Sequence, residues 1–200
     1  KETAAAVEKA AEGYVKTDEK NPELTVESAK DAIAGAMDII AERIAQNPEH
    51  RAAVRGWYMK SGKVVVTGVG DENAQKTSVY QMYWDYSEPV NQIKPHRVLA
   101  INRGEREGVL DVKIDVDAEE AIEIIAREYA IANDYHRDAV ADGVIRLLSP
   151  AVVREIRSDL SDAADDHGIS VFSENLRNLL MQQPIKGTRI LGVDPGIRTG

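Results

Sequence analysis

Apolar positions spaced three and four apart fill the first sixty residues and the last eighty, with short β-branched runs between them. Residues 3–13 are rich in Ala and Glu and predict a helix, followed by a loop through Pro22. Val26, Ala29, Ile33, Met37, Ile40 and Ile44 make one stripe at helical spacing, with Thr25 placed to cap it and Glu27 in its first turn. Asn47-Pro48 ends that helix and opens another to Met59, which Ser61-Gly62 stops. Lys63–Thr67 and Val109–Val116 read as strands, the second alternating Val112 and Ile114 with Asp111, Lys113 and Asp115. The two are expected to pair as a small ribbon. Between them Val79, Tyr80, Tyr83 and Tyr86 fit one helical face, while the aromatic density also suits a strand; helix is the expectation. Pro95 opens a short helix carrying Val98, Leu99 and Ile101, closing near Gly104.

From Ala118 onward the period is helical again, through Ala121, Ile124, Ile125 and Tyr129. Asp134 is placed to cap a helix through Leu148, and Ser149-Pro150 to start the next, running to about His167. Gly168 is expected to divide it from a last helix with Val171, Phe172, Leu176, Leu179 and Leu180 on its apolar face. Pro184 and Gly187 make a linker to Ile190–Val193, a strand that delivers Asp194 just before a Pro-Gly turn. The expected fold class is mostly α-helical with a small two-stranded β insertion. Its regions are 1–62 helical, 63–117 mixed, 118–186 helical, and 187–200 a linker with one strand. A strand without neighbours cannot satisfy its backbone groups, so the chain reads as a piece of a larger protein cut just inside a following domain.

Composition narrows the chemistry. With 43% hydrophobic and 30% charged residues, the 200-residue chain is globular in character and long enough for a core. It has no cysteine, which excludes disulfides and thiolate metal sites from this segment and fits a reducing cytoplasm. No apolar run approaches the roughly 20 residues that span a bilayer, so no membrane partner is expected. A formal net charge of −9 opposes long-range attraction to a polyanion, so any nucleic-acid contact needs a local basic patch.

Three stretches go beyond propensity: Asp38-Ile39-Ile40-Ala41-Glu42-Arg43-Ile44-Ala45, the run from Lys94-Pro95-His96-Arg97 through Arg103-Gly104-Glu105-Arg106 to Leu110, and that from Ile169 through Asn175-Leu176-Arg177-Asn178 to Gly200. Together they resemble the bacterial Tex family of transcription accessory proteins, over nearly the whole chain. The residue before His96 is Pro95, where members of that family usually carry Ser. The resemblance implies a helical region leading into a YqgF/RuvC-like, ribonuclease-H-type domain, with helix-hairpin-helix and S1 RNA-binding modules beyond. It also implies RNA or DNA as partners of the intact molecule, and RNA polymerase or ribosome-associated proteins as further candidates. Asp194 matches the first acidic position of the YqgF-type motif. Ribonuclease-H chemistry needs several carboxylates around its metals, and one cannot hold two, so no catalytic residue, metal or cofactor is expected of this segment.

His96, Arg97, Arg103 and Arg106 form the best cationic cluster. On a helix, Arg103 and Arg106 share a face and His96 lies two turns before Arg103. Their donors suit backbone phosphates, without reading bases. Local ion pairs are the competing reading, because Glu105 and Glu107 interleave. Arg51 and Arg55 beside Trp57 and Tyr58 make a weaker patch, and Tyr80, Tyr83, Trp84 and Tyr86 suit either stacking or packing. His50, His136 and His167 are too far apart in sequence to suggest a ligand set.

Overall fold

Two short polar side chains set the first long helices. A computed structural model describes residues 4–17, 25–70, 79–129, 131–183, 186, 187, 189 and 191–193. After helix α1 (Ala4–Ala11), helix α2 (Ala29–Gln46) starts where the Ser28 hydroxyl accepts from the Asp31 N–H at 3.3 Å. The cap is therefore Ser28 rather than Thr25, which precedes an isolated antiparallel bridge between Lys16 and Val26. Asn47 caps helix α3 (Pro48–Ser61) by accepting from the Glu49 N–H at 2.8 Å, with Pro48 in the first turn as expected.

Strand β1 (Lys63–Gly68) lies between β2 (Asp85–Pro89) and β3 (Leu110–Asp115) in an antiparallel sheet of order β2-β1-β3. The β1–β3 ribbon is present, but the sheet has a third strand where a helix was expected. The aromatic segment makes a 3-10 turn, Gln81–Tyr83, and then extends. Its aromatics fix the outcome: Tyr83 packs edge-on to Tyr86 at 5.4 Å, and the Trp84 ring lies directly over Gly68, where any β-carbon would collide with it. Register sets the faces. Val64 stands opposite both Glu88 and Ile114, and Val66 opposite both Tyr86 and Val112, so all six side chains share one face.

Helix α4 (Pro95–Arg106) carries Gly104 in its last turn, close to the expected end. A β-carbon at Gly104 would stand 2.5 Å from Leu110 Cδ1, so the glycine serves the close approach of β3's first side chain. Gly108, at φ +72°, is the left-handed residue that turns the chain into β3.

Asp117 caps helix α5 (Ala118–Ala126) through the N–H groups of Glu119 and Glu120. Asn133, not Asp134, caps helix α6 (Asp134–Asp142), accepting from the His136 N–H at 2.9 Å. A π-helical segment (Gly143–Leu148) leads without interruption into helix α7 (Ser149–Leu180). Ser149-Pro150 therefore starts nothing new. Proline cannot donate to the carbonyl four residues back, and the wider π turn just before it accommodates that loss. Gly168 does not divide α7 either; a β-carbon there would meet Leu99 Cδ1 at 3.3 Å, which marks a close crossing of α4 and α7.

Ile44, Val54, Val66, Ile101, Ile125, Val144, Leu148, Val152 and Ile156 form one continuous core joining the sheet to α2–α7. The expectation of a mostly helical chain with a small β insertion is met, with three strands in place of two. Among the described residues, His50 is the one polar or charged residue that is buried. Its Nδ1 lies 3.1 Å from the Ile44 carbonyl oxygen and its Nε2 3.0 Å from a Glu128 carboxylate oxygen. A buried histidine with both nitrogens engaged ties α2 and α3 to the end of α5.

Candidate nucleic-acid interface

Helix α4 buries Val98, Ile101 and Gly104 against the core, which turns the opposite side outward. His96, Arg103 and Arg106 are exposed on that outward side. Seven residues are two turns and three are one neighbouring step, so the three cations line one strip about 15 Å long.

Arg97 does not join them. Its Nη1 lies 2.6 Å from Glu88 Oε1 and 3.1 Å from the Tyr86 hydroxyl, which in turn donates to Glu88. The sheet register explains the diversion. Glu88 stands on the same face as Val64 and Ile114, a place where a carboxylate needs a partner, and Arg97 is the cation of α4 nearest that face. Burial, reinforced by the bond to Glu88, pushes the Tyr86 phenol up to about 12. Burial works against ionisation of Glu88, but the bonds from Tyr86 and Arg97 outweigh it and leave the carboxyl below its usual range.

Neither of the two glutamates that interleave with the arginines pairs with them among the described residues. Glu105 points across to α7, where Arg157 Nη1 donates to its Oε1 at 3.0 Å and Nη2 to its other oxygen. Glu107 lies beside the Tyr80 phenol, whose pKa rises through burial first and through the nearby carboxylate second, while the charges of Arg103 and Arg106 pull it back. Among the described residues, Arg103 and Arg106 make no ion pair.

The other basic and aromatic candidates are absorbed by packing. Arg51 pairs with Glu155 at 2.7 Å, and Arg55 pairs with Glu155 at 2.9 Å and Asp159 at 2.6 Å, lacing α3 to α7. Tyr58, Tyr80 and Tyr83 are buried. His50 and His136, distant in sequence, both pack edge-on to Tyr129, with ring centroids 5.6 and 6.0 Å away. No sequence spacing signals that stack, because three separate elements supply it. Asp194 lies outside the described residues, and among those described no cluster of acidic, His or Cys side chains is arranged to hold a metal.

Residues 2–172 match the family described as Tex central region-like. The chain is 40% identical to protein YdcI of Bacillus subtilis, covering 89% of this chain and 26% of that protein. It is 30% identical to the transcriptional accessory protein Tex of Neisseria gonorrhoeae, covering 97% and 26%. It is also 26% identical to the human S1 RNA-binding domain-containing protein 1, covering 94% and 20%. The chain thus spans about a quarter or less of the length of these relatives. With the matched region covering most of its residues, and with the α2 and α4 stretches inside it, the chain belongs to the Tex family.

Proposed function

We propose that this segment is a non-enzymatic helical scaffold of a cytoplasmic transcription accessory protein, holding nucleic-acid-binding modules in fixed relation so that the intact molecule binds RNA or DNA. The observation that carries the reading is mechanical. One core runs from the sheet through five helices into α7, whose 32 residues extend about 48 Å. A helix of that length, anchored along its first half, transmits position from one end of a molecule to the other. The names of relatives supply the context: one is a transcriptional accessory protein, another an S1 RNA-binding domain-containing protein. RNA polymerase or ribosome-associated proteins are the partners such a role implies.

Cross-linking in growing cells tests the scaffold. Nucleic acid should be recovered with the tagged protein and lost when Ile156→Asp breaks the anchor of α7; none recovered with the unaltered protein overturns the reading. The non-enzymatic part has its own test. The 200-residue chain should release no product from labelled RNA or DNA with Mg²⁺ or Mn²⁺. Metal-dependent cleavage that disappears in Asp194→Asn would refute it.

A further inference from the structure

We propose that the outward strip of α4, His96, Arg103 and Arg106, is a sequence-independent docking surface for the phosphate backbone of a nucleic-acid duplex. The proposal rests on the nucleic-acid reading above and assigns it a surface and a substrate class.

Availability is the first argument. In sequence the arginines look neutralised by Glu105 and Glu107, but in the fold Glu105 is committed to Arg157, and among the described residues neither arginine makes an ion pair with either carboxylate. The strip keeps its donors for an outside acceptor, and arginine forks match phosphate oxygens in two-point contacts. Fixed orientation is the second. Val98, Ile101 and Gly104 lock the opposite face of the helix into the core, so the cations project from a rigid element rather than a loop.

The fate of the tyrosines beside α4 decides between strands. Single-strand binders combine charge with aromatic rings that take the bases. Here Tyr80 and Tyr83 are buried, and Tyr86 is bound to Glu88 and Arg97. Among the described residues of α4 itself, charge is what the strip offers, and charge favours the duplex, which carries about one phosphate per 1.7 Å of axis, twice the density of one of its strands. A strip of about 15 Å would face roughly nine of them along the axis and touch two or three.

Its surroundings limit the strength. Asn102 bonds Ser161 at 2.8 Å and Leu99 lies against Gly168, so α7 runs along one flank of the strip. The exposed Asp162, Asp165 and Asp166 on that stretch confine approach to the other side. With a net charge of −9, binding is weak and short-ranged.

The test measures anisotropy of labelled 20-base-pair DNA and RNA duplexes and matching single strands, titrated with the 200-residue chain from ~50 to ~500 mM salt. Both duplexes should bind more tightly than the single strands, with a log–log salt slope of about −2 to −3, at roughly −0.9 per phosphate. Arg103→Ala with Arg106→Ala should reduce duplex affinity at least tenfold and flatten the slope by about 2, while Arg154→Ala, an exposed arginine of α7, should change neither. Preference for one duplex over the other identifies the source of the phosphates within the proposal. No duplex binding at ~50 mM salt, tighter binding to single strands, or an unaltered slope in the double variant overturns it. Cellular cross-linking that survives the double variant but not Ile156→Asp would leave the scaffold standing and remove only this surface from its nucleic-acid contacts.

Discussion

The two halves of α7 carry similar apolar patterns and have opposite fates. From Ser149 to Ala164 the helix buries Val152, Ile156 and Ala164 against α3, α4 and the π segment. From Ile169 to Leu180 the stripe Ile169, Phe172, Leu176, Leu179 and Leu180 is exposed, Phe172 at 66% and Leu180 at 72%. Periodicity states which face of a helix can be buried, and only a neighbouring element decides whether it is. The first half is held by tertiary packing. In the second, the backbone hydrogen bonds of the continuing helix hold the shape with no described residue covering its apolar side.

The sharpest way to break that contrast is to cut equal amounts of side chain from each half. Ile156→Ala should cost about 2–5 kcal/mol, because a sealed site cannot collapse around the lost methyl groups. Leu176→Ala should change stability by less than about 0.5 kcal/mol, as surface substitutions do. Urea unfolding of both variants measures the difference. Equal losses would mean that the distal stripe is covered in solution.

Glycines sharpen the same comparison at the crossings. A β-carbon at Gly143 would stand 2.9 Å from the Ala41 carbonyl oxygen, a backbone atom fixed within α2, so Gly143→Ala should destabilise by about 1–3 kcal/mol. At Gly168 the neighbour is the end of the Leu99 side chain at 3.3 Å, which can rotate away. Alanine is also worth up to about 1 kcal/mol over glycine inside a helix, so Gly168→Ala should be neutral or slightly stabilising. Thermal midpoints moving in the same direction by the same amount would contradict this account.

Local chemistry and period made much of the fold legible from sequence. The α2 stripe, the Asn47-Pro48 junction, the β1–β3 ribbon and the start of α4 at Pro95 all follow from them. What stayed hidden was decided between elements. Tyr83 and Tyr86 satisfy a helical spacing, and only the edge of β1 makes their segment a strand. Gly168 and Ser149-Pro150 look like boundaries because their local cost is visible, whereas the crossing with α4 and the π turn that offset it are not. The candidate site divides in the same way. The shared face of His96, Arg103 and Arg106 was readable. The diversion of Arg97 required the position of Glu88 in β2, and the removal of Glu105 from the arginines required Arg157 on α7.

The Tyr86–Glu88–Arg97 cluster belongs to the packed side of the molecule and should register there as a pH effect. A carboxyl whose folded pKa is depressed contributes stability that is present above its unfolded value, near 4.3, and lost as pH falls through the folded value. Stability should therefore decline on acidification below about pH 4.5, and Glu88→Gln should remove part of that decline. Tyr86 has the opposite sign. Its raised pKa gives stability that is complete below the unfolded value near 10 and is lost as pH rises toward 12, a loss Tyr86→Phe should abolish. Unfolding titrations at both ends of the scale measure the two effects separately; unchanged curves in the variants would detach the cluster from stability.

The smallest expected effect separates the halves by charge. In the packed half, Glu155 and Asp159 meet Arg51 and Arg55 of α3, whereas the distal Glu174 and Arg177 make no ion pair among the described residues. The four side chains of the α3–α7 ladder remain between 32% and 53% exposed, so water and salt screen them. Glu155 accepts a hydrogen bond from Arg51 and lies within ion-pair distance of Arg55, which raises its worth above that of an isolated surface pair without making it a buried one. Glu155→Gln should cost about 0.5–1 kcal/mol at ~20 mM salt and about half as much at ~500 mM, while Glu174→Gln should be silent at either. A loss above about 2 kcal/mol that ignores salt would mean that the ladder is desolvated and that charge, as well as the apolar core, anchors the first half of α7.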